Sequence, residues 1–250
     1  MELRRFLAGR RFRPTLWPTL AMLVLVVATV SLGNWQRDRA AEKEALAAQA
    51  AAAAAKPPVE LTGALTEGEA AALLYHEVRA TGEYDAAHQV LIDNRVHAGR
   101  PGFHVVAPLR LAQGGRYVLV DRGWVAQSAR RTELPAAPPP AGAVTVTGRA
   151  SLPPRYFELM RTSPAGALWQ NLDIARIATA TGLDLLPFVI EQDEAGAPRD
   201  GLVRDWPPPD FGIERHRSYM LQWYSFAALA IVLWLALNWQ PRGQAADAGR

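Results

Sequence analysis

The sequence predicts an α+β membrane protein in which two transmembrane helices bracket a β-rich, mostly antiparallel exported domain with one or two small helices. Residues 14–36 and 218–241 contain no Asp, Glu, Lys or Arg. Each stretch is longer than the roughly 20 residues that a helix needs to cross a bilayer core. Tryptophan and tyrosine flank both stretches, as they do at membrane interfaces. Between the stretches, segments rich in β-branched and aromatic residues alternate with turn residues, which is typical of short strands.

These patterns divide the chain into six segments. After the first apolar stretch the helical pattern continues through a run of alanines, until Pro57 and Pro58 end it. In chain order, we expect a basic cytoplasmic N-terminus (1–15), a transmembrane helix (16–32), a juxtamembrane helix (33–58), the exported domain (59–218), a second transmembrane helix (219–239) and a cytoplasmic tail (240–250).

The charges of these segments predict their orientation. Residues 1–15 hold five arginines and one glutamate, whereas residues 33–218 hold 20 basic and 22 acidic side chains. Short flanking segments rich in arginine stay in the cytoplasm, so we expect both termini there and the central domain outside. No long presequence rich in arginine and serine precedes the first helix, which favours the inner membrane of a bacterium and a periplasmic domain.

A cleaved signal peptide is the alternative for the first apolar stretch. The basic start, the apolar core and the sequence Ser31-Leu32-Gly33 fit such a signal. Trp35 and the residues after it have the pattern of a helix that continues out of the membrane, which favours a retained anchor.

Strand patterns dominate the exported domain. A short alanine-rich helix is predicted near residues 67–75, and a second helix is predicted to begin after Asp173 and to end at Gly182. Gln113-Gly114-Gly115 marks a hairpin turn. The predicted strands are 77–84, 89–94, 103–111, 116–125, 143–150, 167–170 and 187–192.

The composition argues against several functional classes. The chain has no cysteine, which excludes disulfide bonds and thiolate metal sites. It has no phosphate-binding glycine loop, nucleophile elbow or metalloprotease motif, so we expect it not to be an enzyme. Glu191, Asp193 and Glu194 form an acidic cluster, which we interpret as a solvated loop. No basic patch interleaved with aromatics suggests nucleic-acid binding.

One histidine has a distinctive position at the outer end of the second apolar stretch. On a helix, residues at i, i+3, i+4 and i+7 share one face, and this spacing joins His216, Tyr219, Met220 and Trp223. Imidazole and thioether groups are usual axial ligands of haem iron, and Arg215 and Arg217 would suit haem propionates. The residues leave two interpretations open: a site for haem, or interfacial anchoring by aromatics and arginines.

Several motifs resemble those of the Surfeit locus protein 1 family, in the same order along the chain. The match at the second helix is His216-x-x-Tyr219-x-x-x-Trp223-Tyr224, and the match at the exit of the first is Leu32-Gly33-Asn34-Trp35-Gln36. In the domain the resemblance covers Gly102-Phe103-His104-Val105, Leu119-Val120-Asp121-Arg122-Gly123-Trp124-Val125, and Trp169 with Asp173. Two positions depart from the family pattern, with Asp121 in place of Asn and Ala107 in place of Thr.

The resemblance implies an assembly factor for haem–copper cytochrome c oxidase in a respiratory chain. It implies that haem a is received from haem a synthase and placed in oxidase subunit I, with His216 as the iron ligand. Trp35, Gln36 and Arg39 are expected to contact either the partner subunit or the second span. Arg122, Gly123 and Trp124 are expected to be structural, with Gly123 at a bulge or a close packing contact.

Other functions remain as alternatives. A membrane-tethered structural chaperone that binds no haem would share the same topology. A sensor is disfavoured by short cytoplasmic segments, and a polysaccharide chain-length regulator is disfavoured because its exported part is a long coiled coil. Enzymatic modification of haem has no candidate acid–base pair to support it.

Overall fold

The computed structural model of the chain describes residues 10–128, 133–153 and 166–241. The chain divides into two compact units, residues 1–47 with 209–250, and residues 48–208. The first unit contains two long helices and the second is β-rich, which confirms the predicted fold class. Most of the predicted N-terminal segment and nearly all of the predicted tail lie outside the described residues.

The helices begin and end where the sequence supplies caps and breakers. Thr66 and Glu69 form a capping box at the first short helix. Asp173 caps the second short helix, and Gly182 ends it in the left-handed conformation, as predicted. The helices are α1 (Leu16–Ala54), α2 (Glu67–Ala72), α3 (Ile174–Thr181) and α4 (Ile213–Asn238), with one 3₁₀ turn at Ala86–His88.

Helices α1 and α4 are long and apolar enough to cross a membrane. Helix α1 runs without interruption through the predicted span and the predicted juxtamembrane segment. Only 11% of the most apolar window of α1 and 6% of that of α4 are buried. The core helix of a soluble protein would be mostly buried, so these exposed apolar surfaces are suited to lipid.

Strands are the main regular structure of the second unit. All seven predicted strands are present, and the short strand β2 was not predicted. In the first unit, β1 (Arg10–Phe12) pairs with β10 (Trp239–Pro241). The strands of the second unit are β2 (Val59–Leu61), β3 (Glu77–Tyr84), β4 (Val90–His97), β5 (Arg100–Leu111), β6 (Tyr117–Ala126), β7 (Ala143–Ser151), β8 (Leu168–Trp169) and β9 (Leu185–Gln192).

The sheet of the second unit closes on itself. Its strand order is β2-β3-β7-β9-β6-β5-β4-β8, and β3 also pairs with β5. This extra pairing joins β3, β7, β9, β6 and β5 into a ring around a core that includes Val78, Leu109, Val118 and Phe188. The pairs β2–β3, β4–β8 and β6–β9 are parallel, and the other pairs are antiparallel. The sheet is therefore mostly antiparallel, as predicted.

A bulge in β6 places a charged side chain inside this unit. Val105 pairs with Gly123 and Val106 pairs with Asp121, so Arg122 is the extra residue. Gly123 has φ 138°, and a Cβ there would lie 2.9 Å from the Val203 carbonyl oxygen. Both features expected of Gly123, a bulge and close packing, are present.

Arg122 ties three segments together. Its side chain is 1% exposed. It donates to Gln89 Oε1 (2.9 Å), to the Ala137 and Pro138 carbonyls (2.7 and 3.2 Å) and to Asp200 Oδ2 (3.0 Å). Burial lowers the pKa of Arg122, while Tyr84 and Asp200 oppose that shift. Because buried charges are tolerated only when paired and hydrogen-bonded, this network is a structural element of the domain.

Arg122→Met should lower the free energy of unfolding by about 3–5 kcal/mol, because it removes a buried guanidinium that donates hydrogen bonds to four acceptors. Chemical denaturation of the purified full chain in detergent measures the change. Arg110→Met is the matched control, since Arg110 is exposed on the neighbouring strand β5. Equal effects of the two substitutions would contradict the structural role of Arg122.

The acidic cluster differs from the predicted solvated loop. Glu191 lies in β9, where Arg149 Nε donates to its carboxylate at 2.9 Å. Asp193 is half-buried, and burial, followed by the nearby Glu77 carboxyl group, raises the pKa of Asp193. Of the three acidic residues only Glu194 is exposed. The cluster therefore includes a strand residue in an ion pair and a carboxyl group that is disfavoured in its charged form.

Asp193→Asn should stabilise the protein at neutral pH. A carboxyl group whose pKa is raised on folding contributes stability at acid pH that is lost as the pH rises through the folded-state pKa. The neutral amide removes that loss and can still donate to Glu77. The gain in melting temperature should be largest near pH 7 and shrink as the pH falls towards about 4. Asp205→Asn removes the same charge at an exposed position, and an equal gain there would refute the effect.

Candidate functional site

Helices α1 and α4 pack against each other in antiparallel directions. Thr19 contacts Trp234 near one end of the pair, and Gln36 contacts His216 near the other. The buried residues repeat at three- and four-residue spacing, which is the pattern of a helix–helix seam. They are Thr29, Gly33, Gln36 and Ala40 on α1, and Ala227, Ala230 and Asn238 on α4.

The seam includes a close approach at Gly33. A Cβ on Gly33 would lie 2.5 Å from Cε1 of Tyr224, so the ring occupies the space that glycine leaves. The Tyr224 hydroxyl donates to Asn34 Oδ1 at 2.8 Å. Small residues allow such contacts between membrane helices, and hydrogen bonds across the seam add to them.

Polar contacts also join the helices at their opposite ends. Trp234 Nε1 donates to Thr19 Oγ1 at 3.0 Å, and the Thr15 amide donates to Asn238 Oδ1 at 3.2 Å. The Phe12 ring packs edge-on against Trp234, with centroids 5.3 Å apart. Together with the β1–β10 pair, these contacts hold residues 10–15 next to residues 234–241.

His216 contacts α1 through one ring nitrogen. Its Nδ1 lies 2.7 Å from Oε1 of Gln36, which is only 8% exposed. A side-chain carbonyl oxygen only accepts hydrogen bonds, so Nδ1 carries the proton and Nε2 holds the lone pair. Nε2 has no hydrogen-bond partner within the described part of the chain. The half-buried imidazole therefore has the donor atom that metal ligation needs.

The two arginines beside His216 differ in their surroundings. Arg217 donates from NH2 to Glu44 Oε1 at 2.7 Å and from NH1 to Glu214 at 2.8 Å. The hydrogen bond to Glu44 is the main cause that raises the pKa of Arg217. Arg215 is exposed and forms no ion pair with any residue that the structure describes. Arg217 thus links α4 to α1, and Arg215 is the cation left open to a ligand.

The remaining residues predicted to share a helix face with His216 differ in exposure: Met220 and Trp223 lie on the side of the seam, and Tyr219 lies at its edge. Met220 and Trp223 are half-buried and follow His216 at seam spacing. Tyr219 is 46% exposed. The Trp223 ring meets Phe226 edge-on, with centroids 5.8 Å apart. The face therefore offers an imidazole, a thioether and aromatic rings, with Tyr219 at its open side.

Of the three residues expected to contact a partner or the second span, Gln36 contacts the second span. Trp35 is 51% exposed, and the Arg39 guanidinium lies 6.0 Å from its ring centroid. Arg39 also donates to Glu42 at 2.7 Å, the i,i+3 pair that the spacing predicts. Trp35 and Arg39 thus form an exposed surface on α1.

The other residues singled out in the sequence belong to the second unit. Trp124 is 6% exposed, and its Nε1 donates to the Arg95 carbonyl at 2.9 Å. His104 Nδ1 lies 2.7 Å from Asp121 Oδ2, so the aspartate that departs from the family pattern has a histidine partner. The described residues contain no cluster of three or more His, Asp or Glu side chains able to hold a metal ion.

Sequence reasoning assigned no role to several residues that join the helices, among them Asn34 and Glu44. Asn34 stands inside an otherwise apolar stretch, where a polar side chain signals an interhelical contact. No comparable local signal exists for Glu44, because its partner Arg217 lies 173 residues away.

Gly33→Ala should weaken the helix pair by about 1–3 kcal/mol, because the added methyl group displaces the Tyr224 ring. In a Tyr224→Ala background the same substitution should have almost no additional effect, since the obstacle is gone. Thermal unfolding of the full chain in detergent gives the four corners of this double-mutant cycle. Ser31→Ala, at an exposed position of α1, is the control, and additive effects at positions 33 and 224 would refute the contact.

Comparisons with known proteins extend over most of the chain. A sequence model of the SURF1 family matches residues 23–228. The chain is 28% identical over 233 residues to a SURF1-like protein of Monosiga brevicollis, which covers 87% of this chain and 86% of the relative. It is 26% identical over 229 residues to Surfeit locus protein 1 of Xenopus tropicalis, covering 85% and 73%.

A bacterial relative has a similar sequence identity to this chain. An uncharacterised SURF1-like protein of Mycobacterium bovis is 29% identical over 224 residues, which span 86% of this chain and 80% of the relative. The region that the family model matches contains α1 from Leu23 onward, the whole β-rich unit and the first 16 residues of α4. With the family match spanning both helices and the domain between them, the chain belongs to the SURF1 family, a family of cytochrome oxidase assembly factors.

Proposed function

We propose that this protein is a membrane-anchored assembly factor for haem–copper cytochrome c oxidase that holds haem a transiently at His216 for delivery to subunit I. Its cargo comes from haem a synthase, and the protein itself catalyses no reaction. The single observation that carries the cargo role is the hydrogen bond of His216 Nδ1 to Gln36, because it leaves Nε2 as a free nitrogen ligand.

The residues around His216 suit a large apolar macrocycle with acidic substituents. Haem supplies an iron centre that takes an axial nitrogen, an apolar ring system and two carboxylates. Here Nε2 of His216 is the nitrogen, while Trp223 and Tyr219 offer aromatic surfaces at the end of an apolar helix. Arg215 is exposed and suits a propionate. Arg217 is engaged with Glu44 and Glu214, so we assign it to holding the helices together.

The proposal places both termini in the cytoplasm and the β-rich unit in the periplasm of a bacterial cell. Three features support it: the arginines before α1, the two apolar helices, and the β1–β10 contact, which places residues 10–12 and 239–241 on one side of the helix pair. His216 then lies two residues outside the second uncharged stretch (218–241), at the periplasmic surface of the membrane. A lipophilic cargo partitions to that depth.

A structural chaperone that binds no haem is the second candidate. The exposed surface of Trp35 and Arg39 favours it, because tryptophan and arginine are enriched in protein interfaces. In this version α1 contacts the oxidase subunit, and His216 serves only to join α4 to α1.

His216→Ala should abolish haem absorbance in protein purified after co-expression with haem a synthase. The substitution removes the only nitrogen ligand assigned to the site, so the loss should be near complete. An absorbance spectrum, normalised to protein, measures it. His88→Ala is the matched control, because His88 is half-buried in the β-rich unit, where its partner is Asp85.

The outcomes separate the two candidates. Circular dichroism and membrane fractionation should show that the His216 variant is folded and inserted. Unchanged haem content in that variant would refute the cargo role. The structural chaperone would be favoured if neither the wild type nor the His216 variant bound haem, while the variant still supported oxidase assembly and co-purified with subunit I.

A further inference from the structure

We infer that Gln36 is a positioning residue for His216: it holds the imidazole in the tautomer whose free nitrogen is Nε2. The link from this tautomer to haem rests on the proposed function, but the tautomer itself is a property of the chain alone. Gln36 lies on α1 and His216 on α4, so the two apolar helices assemble the site between them.

The geometry specifies the direction of the hydrogen bond. The Nδ1–Oε1 distance of 2.7 Å is short for a bond between neutral groups. The amide oxygen of Gln36 has no proton to give, so the imidazole is the donor and the proton resides on Nδ1. A histidine side chain in water carries this proton mainly on Nε2, the opposite tautomer. Gln36 therefore selects the form that the free side chain disfavours.

The environment of Gln36 strengthens this selection. Its side chain is 8% exposed, and Gly33 and Ala40, one turn away on either side, are buried in the same seam. A hydrogen bond in such apolar surroundings competes little with water. If the Gln36 amide rotated so that its nitrogen faced His216, its N–H would point at the protonated Nδ1. That contact would be favourable only if the imidazole also changed tautomer. The orientation of the Gln36 amide and the tautomer of His216 therefore change only together, and the orientation in this structure pairs with a protonated Nδ1.

The hydrogen bond to Gln36 orients the His216 imidazole in the same way that metal-binding histidines are oriented in metalloproteins. Histidines that bind metals nearly always donate their other ring N–H to a carbonyl or carboxylate, and loss of that acceptor typically lowers metal affinity 10–100-fold. Gln36 supplies the carbonyl here. If the contact only joined the helices, it would require the hydrogen bond but not a particular direction of that bond. A positioning role and a structural role therefore predict different effects on the His216 tautomer.

The test measures the tautomer first, without haem. Nitrogen-15 NMR of histidine-labelled full-length protein in detergent micelles reports which ring nitrogen is protonated, and the chain has only five histidines. The signal that disappears in His216→Ala assigns His216. We expect a protonated Nδ1 in the wild type, a shift towards protonated Nε2 in Gln36→Met, and retention of the wild-type tautomer in Gln36→Glu, which keeps an acceptor oxygen.

Two control variants separate positioning from packing. Tyr224→Phe removes the neighbouring interhelical hydrogen bond to Asn34 and should leave the tautomer unchanged, even if the helix pair is less stable. Gln49→Met makes the same replacement at an exposed position of α1. An unchanged His216 tautomer in a folded Gln36→Met protein would overturn the inference.

Haem titration of the same variants tests the consequence. Gln36→Met should weaken haem binding 10–100-fold relative to wild type, whereas Gln36→Glu and Gln49→Met should bind within a few-fold of it. Equal haem affinity of Gln36→Met and wild type would overturn the positioning role. If the tautomer responds as expected and the wild type binds no haem at all, the proposed function fails and the assignment of the tautomer stands.

Discussion

The structure of the first unit depends on the polar contacts that join its two apolar helices. In hydrocarbon no water replaces a missing partner. Thr19 pairs with Trp234, Asn34 with Tyr224 and Gln36 with His216. Each pair contributes only about 0.6–2 kcal/mol, yet together they set the rotation of α4 about its axis. That rotation decides that His216, Met220 and Trp223 share the seam side, while Tyr219 and Arg215 remain outside it.

The β-rich unit also depends on hydrogen bonds between distant segments, but there they involve a buried charge. Its ring of strands closes around apolar side chains, and the bulge at Arg122 places a buried cation that donates hydrogen bonds to three separate segments. Arg204 shares Asp200 with Arg122, so two buried guanidinium groups depend on one carboxylate. The backbone carbonyls of Ala137 and Pro138 supply the remaining acceptors, which explains how a proline-rich segment with no regular structure is held in place.

Sequence reasoning predicted most elements because their signals are local. Asp173 and Gly182 bound α3 through capping chemistry, and the two glycines after Gln113 make the turn between β5 and β6. The closing pair β3–β5 and the short pair β1–β10 were missed, since they join segments far apart in sequence. The acidic cluster was misjudged for the same reason: Arg149 lies 42 residues from Glu191. For the site, helical spacing placed His216, Met220 and Trp223 on one side of α4, while Tyr219 lies at its open edge, and the spacing gave no indication that Arg217 pairs with Glu44.

Under the proposed function, the arrangement at His216 suits a carrier better than a permanent holder of haem. A resident haem usually lies in a pocket with two axial ligands or a deep apolar cavity. Here one imidazole is presented from a helix pair, Tyr219 is open on one side, and Arg217 is engaged with Glu44 and Glu214 rather than reserved for a propionate. Few contacts give fast dissociation, because affinity differences between related sites arise mostly in the dissociation rate. Gln36 adds a compensating property: it keeps the nitrogen ready without adding a contact to the cargo, so capture does not require the ring proton to move. A site of this kind combines a prepared ligand with weak retention, which is what transfer to a tighter site in another protein requires.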